Sequence, residues 1–125
     1  MEIITGGVTG SKGIFGSRRR GRDQVSEQKR YGNGVFQNAV SRSGRVYDEC
    51  SKAAPVLWDK EVVESEWEAQ AIVVNSGIAN ACTGKLGYEY CRETAGAAAD
   101  ALEISPQSVL ICSTGVIGMQ LPMEK

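Results

Sequence analysis

Ala69-Gln70-Ala71-Ile72-Val73-Val74-Asn75 is the stretch on which the fold turns. It is a short β-branched apolar run bounded by Ser76-Gly77, and it reads as a buried strand. Downstream, between Lys85 and about Glu103, Leu86, Tyr90, Ala97, Ala98, Ala101 and Leu102 recur at three- and four-residue spacings. That pattern predicts one apolar stripe of a long helix. Thr83 stands where it can cap this helix, and Gly84 fits the entry turn. Ala95-Gly96-Ala97-Ala98-Ala99 offers a low-relief surface for close approach of a neighbour, although Gly96 costs about 1 kcal/mol of helix propensity relative to alanine. Ser105-Pro106 ends the helix, because proline disfavours helical geometry in the residue before it. Ser108-Val109-Leu110-Ile111-Cys112 then reads as a second strand running into Ser113-Thr114-Gly115. Strand, helix, strand predicts a βαβ-like unit, with an antiparallel order inside an α+β layer left open. The expected class is therefore α/β, of the layered α+β kind.

Outward from this unit the chain changes character. Residues 1–51 carry nine basic and five acidic side chains, a net of +4, whereas residues 52–125 carry five basic and ten acidic, a net of −5. Between Gly10 and Ser51 no stretch sustains a period of 2 or 3.6. Ser17-Arg18-Arg19-Arg20-Gly21-Arg22 and Gln28-Lys29-Arg30 are basic and glycine-flanked, with only Phe15, Tyr31, Phe36 and Tyr47 as aromatic residues among them. One reading is a small nucleic-acid-binding protein whose arginine-rich arm neutralises phosphates. Without regularly spaced aromatics or a known module, a disordered, solvated segment is the plainer expectation.

Composition excludes several chemistries. The 125 residues suit one small domain. Hydrophobic residues at 42% and charged residues at 23% argue against a wholly unfolded chain. No apolar run approaches the roughly 20 residues of a bilayer span. The start, Met1-Glu2-Ile3-Ile4-Thr5-Gly6-Gly7, lacks the basic and apolar regions of a secretion signal, so a cytoplasmic product is expected. There is no histidine, and Cys50, Cys82, Cys91 and Cys112 form no C-x-x-C pair. Histidine triads and common zinc frameworks drop out, no metal site is expected, and reduced thiols fit best.

Two constellations could carry chemistry. Residues 75–85 form a polar, glycine-bearing loop at a strand end, but G-x-x-x-x-G-K-[ST] is not met, since position 79 is Ala and Leu86 follows Lys85. Cys82, near a helix start, could have a lowered thiol pKa. No base accompanies it, and a buried structural cysteine is the expected reading. At Ser113-Thr114-Gly115, a hydroxyl beside a glycine with an accessible N–H can donate to a developing oxyanion. Alone, that tripeptide is a weak signal, because Thr-Gly at a strand end is more often an ordinary turn.

Four blocks resemble the bifunctional ornithine acetyltransferase / N-acetylglutamate synthase (glutamate N-acetyltransferase) family of arginine biosynthesis. They are Ile4-Thr5-Gly6-Gly7-Val8-Thr9, Lys52-Ala53-Ala54-Pro55-Val56-Leu57, residues 71–87 with their V-V-N-S-G-x-A-N-A-C-T-G core, and residues 113–125 with S-T-G-V-I-G-x-x-L-P-M. Ile78 stands where the family pattern has asparagine. The resemblance implies the N-terminal part of an αββα-type fold, incomplete here. It also implies an acetyltransferase of the N-terminal-nucleophile kind, in which the precursor cleaves itself before a threonine whose freed amine acts as base. Acetyl passes from N-acetylornithine to glutamate, and some members also use acetyl-CoA as co-substrate. No further cofactor is implied. By the same resemblance Thr114 and Gly115 are the oxyanion donors. The nucleophile sits in an A-T-M context that this sequence lacks, so this chain alone is expected to be inactive, with a β chain from the same precursor as its usual partner. A third reading is an acyl-binding or regulatory module that uses Thr114 and Gly115 without a nucleophile.

The chain is thus expected to divide into residues 1–9, a family-like N-terminal strand; 10–51, an unreadable segment; and 52–125, the strand–helix–strand part. Residues 10–51 read as translated out of frame. Starting one base later, with suitable synonymous codons, they yield A-P-K-G-F-S-A-A-G-V-E-A-G-I-K-Y and, further on, M-A-M-V-F and A-G-V-F. Those runs resemble the family's sequence between G-G-V-T and K-A-A-P-V-L. On this reading the arginine tract is a by-product of wrong-frame codons and the segment is disordered.

Overall fold

The structure, a computed structural model, describes residues 14–20, 29–40, 44 and 51–124. The β-branched run forms a strand as expected, but it continues beyond Asn75, so that β3 (as numbered in chain order) spans Ala69–Ile78. Its partner β4, Val109–Val116, likewise runs through Ser113-Thr114-Gly115 instead of stopping at Cys112. The two are parallel, with Ala71 opposite Val109 and Ile78 opposite Val116. Each extension supplies the other's hydrogen-bond partners, which a single strand read alone does not reveal. Helix α2, Gly84–Leu102, connects them, so the βαβ reading holds in its parallel form.

Two more strands precede these: β1, Ile14–Arg20, and β2, Lys29–Val40, in a sheet of order β1-β2-β3-β4. β1 with β2 and β2 with β3 are antiparallel. This corrects the expectation of disorder for the parts of 10–51 that the structure describes. The physical reason is pairing. β2 lies against the edge of β3, with Tyr31 opposite Asn75 and Val35 opposite Ala71, and an open strand edge recruits backbone regardless of side-chain period. The family-like N-terminal strand at residues 1–9 lies outside the described residues.

A second helix, α1, covers Ala54–Glu64. Sequence reading passed over it, although Pro55 in the first turn is a helix-start signal. It buries Ala54, Pro55, Trp58 and Val62, spaced as one helical face. The stripe expected on α2 is displaced. Leu86, Ala97, Ala101 and Leu102 are exposed, while Gly87, Cys91, Ala95 and Ala99 face the core. Gly96 is not the point of close approach either: a side chain there would meet open space. Small residues win the inner face because they let α2 lie close to the sheet. α1, α2, β3 and β4 share one core of Ala54, Trp58, Val62, Ala71, Cys91, Ala95, Ala99, Val109 and Ile111, so both helices lie on one face of the sheet. On the other face Val74, Ser76, Cys112 and Thr114 are exposed. Glu103, at a left-handed φ of 55°, terminates α2 before the proline, and a 3-10 turn at Pro106–Ser108 leads into β4. Among the described residues no helix is long and apolar enough to cross a membrane.

Candidate oxyanion site at the end of β4

Thr114 and Gly115 stand in the last turn-free residues of β4, opposite Ser76 and Gly77. Gly115 has φ 136° and Gly77 has φ 118°, a region that side chains rarely adopt. The two backbones approach so closely that a Cβ on Gly115 would land on the Gly77 carbonyl. Glycine is therefore required at position 115 both by its φ and by its neighbour. Thr114 and Gly115 are both exposed. Alternate residues of a strand turn their backbone groups to opposite edges. Val109 O and Ile111 N–H bond away from β3, to α1, while Val116 O bonds inward to Ala79 N–H at 2.9 Å. The same alternation sends the Gly115 N–H to the free edge. Thr114 is exposed on the open face of the sheet, at the rim next to that edge.

The loop between β3 and α2 supports this rim. Asn80, fully buried at φ 49°, donates from Nδ2 to Gly87 O at 2.8 Å and to Cys91 Sγ at 3.3 Å. Thr83 Oγ1 donates to Asn80 Oδ1 at 2.7 Å. Thr83 does occupy the N-cap position, but its hydroxyl makes no capping bond, because Asn80 takes it. From the other side, Gly118 N–H bonds Ala81 O at 2.8 Å and Gln120 Nε2 bonds Thr83 O at 3.0 Å. Ala54 N–H bonds Asn80 O at 3.1 Å. The loop thus joins α1, α2 and the residues after β4.

The cysteine expectation is corrected here. Cys82 is exposed at φ 55°, with Ser51 Oγ 3.9 Å from its sulfur. The buried structural cysteine is Cys91, whose thiol is pushed up to about 11, chiefly by burial. Among the described residues no group of three or more His, Cys, Asp or Glu side chains is placed to hold a metal ion. Near the rim, Asn75 is buried and donates to Ile78 O at 2.9 Å, bracing the bend at Gly77. Opposite it, Ser113 Oγ is buried with no hydrogen-bond partner.

Sequence reasoning missed Trp58, Asp59 and Asn80. Trp58 Nε1–H donates to Val109 O and Asp59 Oδ1 accepts Ile111 N–H, each at 2.9 Å. Their signal was the A-A-P-V-L-W-D run, once α1 is recognised. A separate groove of about 800 Å³ runs between α1 and α2, lined by Trp58, Glu61, Tyr88, Arg92, Gly96 and Gln107. There Tyr88 Oη donates to Glu61 Oε2 at 2.6 Å, and partial burial followed by that carboxylate pushes the phenol up to about 12. The groove lies between the two helices, and Thr114 is not among the residues that line it.

Comparison with known proteins gives a single picture. A sequence profile of the ArgJ family matches residues 34–125. The "Arginine biosynthesis bifunctional protein ArgJ" of Caldanaerobacter subterraneus subsp. tengcongensis is 42% identical over 132 aligned positions, covering 100% of this chain and 30% of that protein. The protein of the same name from Gloeobacter violaceus is 40% identical, covering 100% of this chain and 31% of its own length. The Streptomyces coelicolor protein is 53% identical over 74 residues, 59% of this chain and 19% of that one. Among solved structures, Bacillus halodurans ArgJ superposes with a TM-score of 0.81 at 35% identity, over 96% of this chain and 62% of that chain. Ornithine acetyltransferase complexed with ornithine from Mycobacterium tuberculosis superposes with a TM-score of 0.80 at 31% identity, over 94% and 64% respectively. The chain spans about 30% of the length of the curated relatives that align along all of it. With the parallel β3–β4 pair, the glycine-lined rim and the family profile in agreement, the chain belongs to the ArgJ family.

Proposed function

We propose that this chain supplies the oxyanion-stabilising part of an acetyltransferase of arginine biosynthesis that moves acetyl from N-acetylornithine to glutamate. The observation that carries the reading is Gly115, with φ 136°, contact with Gly77 that excludes a Cβ, and a place beside the exposed Thr114; strand alternation turns its N–H to the outer side of β4, which no described strand pairs. By family resemblance a threonine hydroxyl attacks the acetyl carbonyl, its own α-amine accepting the proton. The carbonyl oxygen becomes an oxyanion, and the Gly115 N–H and Thr114 Oγ1 donate to it. Ornithine leaves as the amine, and the acetyl-threonine ester is then attacked by the amino group of glutamate through a second oxyanion at the same place. Fixed donors of this kind are each worth about 10²–10³ in kcat. The threonine belongs to the part of the family's length that this sequence does not span. The residues carrying it are the β chain that would pair with this one after self-cleavage, and acetyl-CoA is a second acetyl source.

A chimera tests this directly. The present chain replaces the matching 31% of the Gloeobacter violaceus protein, and transfer from N-acetylornithine to glutamate is assayed. Thr114→Ala is expected to lower kcat by about 10²-fold with KM little changed. A chimera with wild-type kcat after Thr114→Ala would remove the assignment.

The out-of-frame reading of residues 10–51 is proposed alongside. Identity to relatives is higher where the alignment is confined to 59% of the chain, 53% in the Streptomyces coelicolor protein, than along all of it, 40% in that of Gloeobacter violaceus. Resequencing the gene across these codons is expected to find one base gained near codon 9 and one lost near codon 52. A gene without them, relative to intact relatives, would sink the reading.

A further inference from the structure

β4 is the edge of the described sheet, and an edge strand shears or twists unless its outward groups are tied. Two of them are tied, by consecutive residues of α1. Trp58 Nε1–H holds Val109 O and Asp59 Oδ1 holds Ile111 N–H, both at 2.9 Å. Val109, Ile111 and Trp58 are buried, so water does not easily replace these bonds. The next outward groups along the strand, on Ser113 and Gly115, carry no such side-chain tie among the described residues. The last outer fastening of β4 therefore lies just upstream of the proposed oxyanion donors.

We propose that Asp59 and Trp58 are positioning residues, which clamp the outer edge of β4 and thereby fix where the Gly115 N–H and the Thr114 hydroxyl stand. This rests on the oxyanion assignment made above. The choice of a carboxylate is the second support. Burial pushes Asp59 up to about 6, only partly offset by the Ile111 N–H. A half-buried carboxylate loses solvation that an apolar side chain at the same place would not, and the Ile111 N–H it accepts offsets part of that loss. Of the titratable groups on the other packed elements, Cys91 on α2 feels the Asp59 charge; its thiol, raised to about 11, stays neutral through the range that matters. The required tolerance is small: a misplacement of about 1 Å at a reacting centre can cost about 10²-fold in rate.

The test compares Asp59→Asn, which keeps an acceptor but cannot ionise, with Asp59→Leu, which fills the space without one, and Trp58→Phe. In 15N-labelled chain, the Ile111 and Gly115 amide shifts are expected to titrate together with a midpoint of about 6. Asp59→Asn removes both titrations and leaves amide exchange at Ile111, whose N–H Asp59 accepts, near wild type. Asp59→Leu and Trp58→Phe speed that exchange by roughly tenfold or more. In the chimera, Asp59→Leu lowers kcat by about tenfold at near-constant KM, and Asp59→Asn restores it. A Gly115 amide that does not titrate, an Ile111 amide whose exchange Asp59→Leu leaves unchanged, or an Asp59→Leu chimera with wild-type kcat overturns the clamp. Wild-type kcat in Thr114→Ala instead overturns the oxyanion assignment and leaves the amide coupling standing, so the two failures are distinct.

Discussion

Asn80 and Gly87 carry more of the local architecture than their chemistry suggests. Asn80 is buried in a left-handed conformation and satisfies Gly87 O while accepting from Thr83. A Cβ on Gly87 would land on Thr83 Oγ1 and Asn80 Oδ1. Gly87→Ala is therefore expected to destabilise by about 1–3 kcal/mol, as an overpacked core position does. Asn80→Ala is expected to cost about 2–3 kcal/mol, since it leaves two polar groups buried without partners. Urea denaturation of the three proteins checks both. Gly84→Ala provides the contrast: it has open space but φ 64°, so any loss there comes from backbone strain alone. The sequence showed that the I-A-N-A-C-T-G block of residues 78–84 was distinctive. It did not show that Asn80 and Gly87, seven residues apart, form one hydrogen-bonded unit, because that contact depends on how the loop turns back on α2.

At the scale of elements, α2 separates pattern from packing. Ala95 and Ala99 are fully buried, whereas Ala97 is exposed. Ala95→Leu is expected to destabilise by about 1–3 kcal/mol through overpacking, and Ala97→Leu to be neutral within about 0.5 kcal/mol. Thermal melts of the two variants decide between the observed face and the one the apolar spacing suggested. α1 carries a pH dependence. Asp59 is raised from 3.8 to about 6, mainly by burial, so the folded state holds its proton more tightly than the unfolded state. Its contribution is fully present below about pH 4 and is lost as pH rises through about 6. The Asp59→Asn variant is expected to lack that downward slope when melting temperature is followed from about pH 4 to 7. If both proteins give the same slope, Asp59 is not the titrating group.

Over the whole molecule the core is made of small side chains. Alanines at 54, 71, 95 and 99 dominate it, with Val62 and Val109 among the largest fully buried groups. Meanwhile Phe15, Trp67, Val116, Ile117 and Met119 are each more than half exposed. Such a chain buries little apolar area relative to what it shows. Taken by itself it is expected to unfold with less than about 5 kcal/mol and to bind an apolar dye when folded. A cooperative urea transition well above that value, with no dye binding, would contradict this. Of the two core strands, β3 is paired on both sides by β2 and β4, whereas β4 leaves one edge unpaired among the described strands.

The strand–helix–strand order was legible because local composition dictates it: β-branched residues at 72–74, 109 and 111, and a long helix-forming stretch between a glycine-bearing loop and a proline-bearing turn. The S-T-G and N-A-C-T-G blocks likewise marked a family and a candidate pair of donors by their residues alone. What only the tertiary structure decided are the features that depend on two distant segments meeting. β2 is a strand because β3 offers it an edge. Gly115 is irreplaceable because Gly77 lies against it. Asp59 is half-buried where it meets the N–H of Ile111, 52 residues away. A periodicity describes one segment at a time, whereas register, close approach and a shifted pKa belong to pairs, which form only when the chain closes on itself.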